Sequence, residues 1–154
     1  MLRMTKVDLN LLKKLRLETS ASIADCNKAL SETENDYKKA LDWIKKRGLE
    51  KADKKSDRET SQGLVESYIH NGGKIGVLVV LRCETDFVAK TDEFKALAHE
   101  IAMQVSAISP KDVPALLKQE YIRDASVTIE QMVKSTIGKL GENITLSDFK
   151  RFAI

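Results

Sequence analysis

A chain of 154 residues makes one ordinary domain or two small ones, and 42% hydrophobic with 32% charged side chains fits a packed globular protein, not a disordered one. The formal charge of +3 is too mild to demand nucleic acid, and the longest apolar run is much too short to cross a bilayer. Lys6 and Asp8 interrupt any apolar run at the N-terminus, so a cleavable signal is not expected and the chain reads as cytoplasmic, with no membrane contact.

Residues 5–48 read as three short helices. Val7, Leu11, Leu12 and Leu15 share one side of the first, and Thr19-Ser20 ends it. Ser22 caps the second, with Asp25 three residues on and a stripe of Ile23, Cys26, Ala29 and Leu30. Asn35 and Asp36 open the third, whose face is Tyr37, Ala40, Leu41 and Ile44 and whose stop is Gly48. Trp43 lies off that stripe and is expected to pack against the segment that follows. From Lys38 to Arg58 nine Lys or Arg face four Asp or Glu, which reads first as a solvated helical face and second as a polyanion contact.

Residues 51–63 are charged, hold no sustained apolar face and end in Ser61-Gln62-Gly63, which predicts a linker between a first domain, 1–50, and a second, 64–154. The second opens with alternation over Val65–His70, a turn at Asn71-Gly72-Gly73-Lys74, and the β-branched run Ile75–Leu81, together a hairpin. A helix follows over 92–108, with Thr91 as its cap and Phe94, Leu97, Ala98, Ile101, Val105 and Ile108 inward. Pro110 and Pro114 mark a break. A helix from about Thr128 to Leu140 ends at Gly141, and Ile144 to Phe152 returns as a strand. The fold class is α+β: three helices, then a three-stranded antiparallel sheet with helices on one face.

Between the second strand and its helix stands Cys83-Glu84-Thr85-Asp86-Phe87-Val88-Ala89-Lys90. Two readings of Phe87 are open. Its ring tucks under its own helix, or it is a rigidly mounted tip that belongs in another protein. No enzyme is indicated, because His70 and His99 have no Cys, Ser or acid at a recurring catalytic spacing. No cluster offers the three or four convergent ligands of a metal site, and no cofactor is expected. Cys26 and Cys83 read as reduced and packed.

Thr85-Asp86-Phe87-Val88 followed by Ala-Lys on a strand-to-helix turn resembles the signature of the elongation factor Ts family. Three further stretches agree in order: Leu11–Arg16 with Thr19 and Asp25–Leu30; Tyr68-Ile69-His70 with Gly76–Val79; and Gly141–Ile144 with Phe149, Arg151 and Phe152. The resemblance implies a ubiquitin-associated-like N-terminal bundle and an α+β core of the dimerisation type. It implies a guanine nucleotide exchange factor in translation elongation, whose partner is elongation factor Tu, GDP-bound and nucleotide-free. Thr85, Asp86, Phe87 and Val88 would disturb that partner's magnesium and phosphate site. Ile23 and Ala24, at the turn into the second helix, would make a second contact. No direct nucleic-acid contact is implied.

The chain departs from the family pattern in places. Ser20-Ala21-Ser22 stands for Gly-Ala-Gly, Ile23-Ala24 for Met-Met, and Ser147-Asp148 for Arg-Arg. The connection from Ile108 to Thr128 is short, and there is one core copy where many members have two. A single core leaves one face uncovered, which two chains could close as a homodimer. A peptide-holding scaffold and an RNA-binding accessory using Lys45-Lys46-Arg47 and Lys54-Lys55 remain the alternatives from other classes.

Overall fold

In the computed structural model, which describes residues 5–154, the Asp8 carboxylate accepts from the amides of Asn10 (2.8 Å) and Leu11 (3.2 Å) and so starts α1 (Leu9–Thr19). Ser22 starts α2 (Ile23–Glu32) in the same way, and Asp36 accepts from Lys39 N at 3.1 Å in the first turn of α3 (Tyr37–Asp53). Leu15, Cys26, Ala29, Leu30, Ala40 and Ile44 meet in one buried cluster, with Val7, Leu11, Leu12, Tyr37 and Leu41 packed around it. These helices make up the first of two compact units, which divide between Lys51 and Ala52.

Three expectations for this unit need correction. Gly48 does not stop α3, which runs on to Asp53. The position is open, with nothing near a would-be Cβ, so glycine there costs only about 1 kcal/mol of helix propensity and does not end the helix. Ile23 is not in the buried stripe, being 57% exposed. Trp43 packs on this unit's own cluster, and its indole N–H donates to Glu32 Oε2 at 2.7 Å on α2, not to the following segment.

The second unit runs β1 (Gln62–His70), β2 (Ile75–Cys83), α4 (Asp86–Ala89), α5 (Asp92–Ile108), α6 (Val113–Lys118), β3 (Glu120–Tyr121), β4 (Asp124–Thr128), α7 (Ile129–Leu140) and β5 (Ile144–Ala153). Its sheet is antiparallel in the order β1-β2-β5, and the turn between β1 and β2 uses positive φ at Asn71, Gly72 and Gly73. One face of β2, with Val77, Val79, Leu81 and Cys83, packs in the same core as Phe94, Leu97, Ala98, Ile101 and Val105 of α5 and Ile129, Val133 and Ile137 of α7. Each of the Val, Leu, Ile and Phe side chains contributes roughly 1.5–3 kcal/mol by leaving water. The opposite face is uncovered: Val65, Ile69, Leu78 and Phe152 are exposed, while Leu64 and Tyr68 of β1 turn inward.

At Gly63 the strands come very close. A Cβ there would lie 2.1 Å from the Leu81 carbonyl oxygen, and φ is +148. Gly63→Ala is therefore expected to destabilise the second unit by about 1–3 kcal/mol, read as a lower urea midpoint with an unchanged slope. Opposite, a bulge sits at Ser147, since Val80 pairs with Asp148 but Leu81 with Leu146.

The path from α5 to α7 holds elements that periodicity does not reveal: the short α6 and the β3–β4 hairpin. The hairpin is held from inside. Gln104 of α5 is fully buried, its Nε2 donates to Gln119 Oε1 (3.2 Å) and Glu120 O (3.0 Å), and its Oε1 accepts from Ile122 N (3.0 Å). Every polar arm of that amide is in use, which is what makes its burial tolerable. Among the described residues no helix is long and apolar enough to cross a membrane.

Candidate functional site

Where β2 ends, the chain makes a single helical turn before α5 begins. Thr85 is in an extended conformation and caps α4, its Oγ1 accepting from Val88 N at 3.4 Å. The buried Cys83 Sγ donates to Thr85 O at 3.1 Å, and burial pushes that thiol above its usual range, with the charge of Glu142 adding to the effect. Thr91 closes the turn, its hydroxyl donating to Val88 O (2.8 Å) while accepting from Phe94 N (3.2 Å).

Successive residues of a helix point about 100° apart, so one turn sorts its side chains sharply. Val88 and Ala89 go into the core, and Phe87 goes out, 87% exposed. Asp86 is exposed beside it, with Lys90 Nζ 2.7 Å from its Oδ2. The reading in which Phe87 tucks under its own helix is overturned. Val88, the last of the four residues that the resemblance singles out, is buried, and its side chain belongs to the protein's own core.

The turn is also fastened from the far end of the fold. Glu142 Oε1 accepts from Thr85 N (2.9 Å) and its Oε2 from Thr85 Oγ1 (2.6 Å). One step away, Glu84 Oε1 accepts from Asn143 N (2.8 Å) and lies 3.5 Å from the Arg58 guanidinium. Asn143, itself buried, donates through Nδ2 to Arg58 O (2.8 Å) and Ser56 O (3.4 Å). Sequence reasoning missed the part played by Glu142 and Asn143. Their local signal, a polar pair between a glycine helix stop and a strand, says that something polar is held there but not what.

In the first unit, Ile23 and Ala24 are both exposed at the start of α2. Next to them the Asp25 carboxylate is hydrogen-bonded by Lys51, which holds its pKa below the usual carboxylate range. Ser20, before this turn, adopts the left-handed conformation (φ 55) at a position where the family pattern has glycine. Among the described residues, no three His, Cys, Asp or Glu side chains converge to hold a metal.

A family model described as "Elongation factor TS" matches residues 84–154, which begins at Glu84 and takes in the exposed turn, α5 to α7 and β5. An elongation factor Ts from Desulfosudis oleivorans is 38% identical over an alignment of 196 positions that covers 98% of this chain and 99% of the relative. The chain belongs to the elongation factor Ts family. An elongation factor Ts from Rippkaea orientalis is 39% identical, with 98% and 79% covered. Another, from Nostoc sp. strain PCC 7120, is 46% identical over 151 residues, and this chain spans about half (48%) of its length. The Desulfosudis alignment has more positions than this chain has residues, so the elongation factor Ts of that organism carries internal segments that this chain lacks.

Proposed function

We propose that the protein is a guanine nucleotide exchange factor in translation elongation that promotes GDP release from elongation factor Tu. The observation that carries this reading is the ring of Phe87, 87% exposed on a turn whose neighbours are buried or hydrogen-bonded. Phe87 enters the partner's nucleotide domain and disturbs the groups that order its magnesium shell, Asp86 adds a polar contact there, Thr85 caps the turn and Val88 anchors it. Magnesium is held by few protein ligands together with phosphate oxygens and water, so a small displacement weakens nucleotide binding. Coupling is reciprocal: a factor that loosens the nucleotide is loosened by it to the same degree.

A shift of about 10⁴ in nucleotide affinity needs roughly 5.5 kcal/mol of differential binding. One phenylalanine supplies about a quarter to a half of that, 1.5–3 kcal/mol. The remainder is assigned to further contacts, among them Ile23 and Ala24 of the first unit. That unit (residues 1–50) is read as a ubiquitin-associated-like module, 51–63 as the joining segment and 64–154 as the core that carries the tip. The protein acts in the cytoplasm, binds elongation factor Tu with and without GDP, performs no chemistry of its own and makes no direct nucleic-acid contact. Release of labelled GDP from elongation factor Tu, followed by stopped flow, tests the reading. Faster release with this protein supports it, and an unchanged rate removes it.

The uncovered sheet face with Val65, Ile69, Leu78 and Phe152 suits a second copy of the chain. A homodimer is accordingly expected at micromolar concentration. Sedimentation showing only a 17.3 kDa species would discard it.

A further inference from the structure

We propose that Glu142 is a positioning residue for nucleotide exchange: its carboxylate, bonded through both oxygens to Thr85, sets the direction in which the Asp86–Phe87 pair points. The inference rests on the exchange-factor reading and deepens it.

A four-residue helix does not hold itself, because a single turn fixes many dihedrals for one or two hydrogen bonds. The direction of Phe87 therefore has to come from what grips α4 at each side. On the inner side, Val88 and Ala89 sit in the core, which sets how deep the turn lies. The buried Cys83 Sγ holds the Thr85 carbonyl (3.1 Å), but the Thr85 amide and the proton of its hydroxyl still need an acceptor from outside the turn, and a shift there is what would carry an exposed ring from place to place. Glu142 prevents that shift. Thr85 has two hydrogen-bond donors, its amide and its hydroxyl, and both end on one carboxylate, at 2.9 and 2.6 Å. Bonds to an ionised, two-pronged acceptor are short and directional, so they fix orientation as well as distance. Glu142 faces the turn because Gly141 ends α7 in the left-handed conformation (φ 76) just before it. The crossing is doubled by the reverse arrangement one residue back, where the Glu84 carboxylate takes the Asn143 amide at 2.8 Å.

The test uses the full chain and elongation factor Tu loaded with labelled GDP, with wild type, Phe87→Ala, Glu142→Ala and Glu142→Gln. For Glu142→Ala the plateau release rate is expected to fall roughly ten- to a hundredfold, the scale of losing a hydrogen bond to a charged group, while the concentration giving half the plateau changes less than about twofold. Glu142→Gln is expected to recover most of the rate, since its amide can accept from Thr85 N and donate to Thr85 Oγ1. Amide hydrogen exchange should quicken over residues 84–90 and stay slow over α5. A plateau unchanged in Glu142→Ala, or a loss that appears only in the half-saturating concentration, overturns the inference when Phe87→Ala slows release normally. If wild type does not accelerate release at all, the exchange-factor reading falls and takes this inference with it. Should Glu142→Ala fail to fold, Thr85→Val removes only the hydroxyl arm and is held to the same split between plateau and half-saturation, with a smaller loss.

Discussion

Phe87→Ala is expected to slow stimulated GDP release from elongation factor Tu by roughly ten- to a hundredfold, the equivalent of 1.5–3 kcal/mol of apolar burial lost at the interface. The same substitution should leave the folding stability within about 0.5 kcal/mol of wild type, because an exposed side chain has nothing to lose inside its own molecule. Binding to the partner is expected to weaken only in part, since other contacts remain. Paired urea melts and stopped-flow traces check both halves. A large drop in the urea midpoint would mean that the ring is needed inward, and an undiminished release rate would mean that it is not the element that acts on the nucleotide site.

Phe94→Ala, seven residues further on, is expected to do the reverse. Phe94 is fully buried at the start of α5, in the core that β2 also lines, and is the largest completely enclosed side chain among the described residues. Truncating such a residue costs about 3–5 kcal/mol, transfer and cavity together. Domains of this kind have only roughly 5–15 kcal/mol in hand, so the substitution is expected to remove between about a fifth and all of the stability. The urea midpoint should fall steeply, and release activity should fall in step with the folded fraction. Two phenylalanines close in sequence thus divide the work. One holds the core together and the other faces solvent, and the break at Lys90-Thr91, which places them on two separate helices, decides which does which.

The distinction was only half visible beforehand. The buried face of α5 follows from the spacing of Phe94, Leu97, Ala98, Ile101 and Val105, a 3.6-residue period that survives any tertiary detail. Strands β1 and β2 and the turn at Asn71-Gly72-Gly73 follow from alternation and positive φ in the same local way. Phe87 was undecided because α4 has four residues, too few to show a period, and its direction depends on Val88 and Ala89 finding the core. The β3–β4 hairpin escaped notice because β4 is largely exposed and is held by Gln104, an amide from another element. Gly48 misled for a different reason: in an open position a glycine's cost is small, and the residues that follow it, Leu49, Glu50, Lys51 and Ala52, are all good helix formers. Glu142 has its partner 57 positions upstream, and no window along the chain contains both.

That long reach bears on how the molecule is made. A growing polypeptide that has emerged from the ribosome only as far as α7 already carries Phe87, yet it has neither the carboxylate that clasps Thr85 nor the amide that answers Glu84, the latter 59 positions later. On the exchange-factor reading, the clasp on the turn that carries Phe87 can close only once Glu142 and Asn143 are out. Unfinished copies would present a loosely swinging ring and so be poor competitors for the partner.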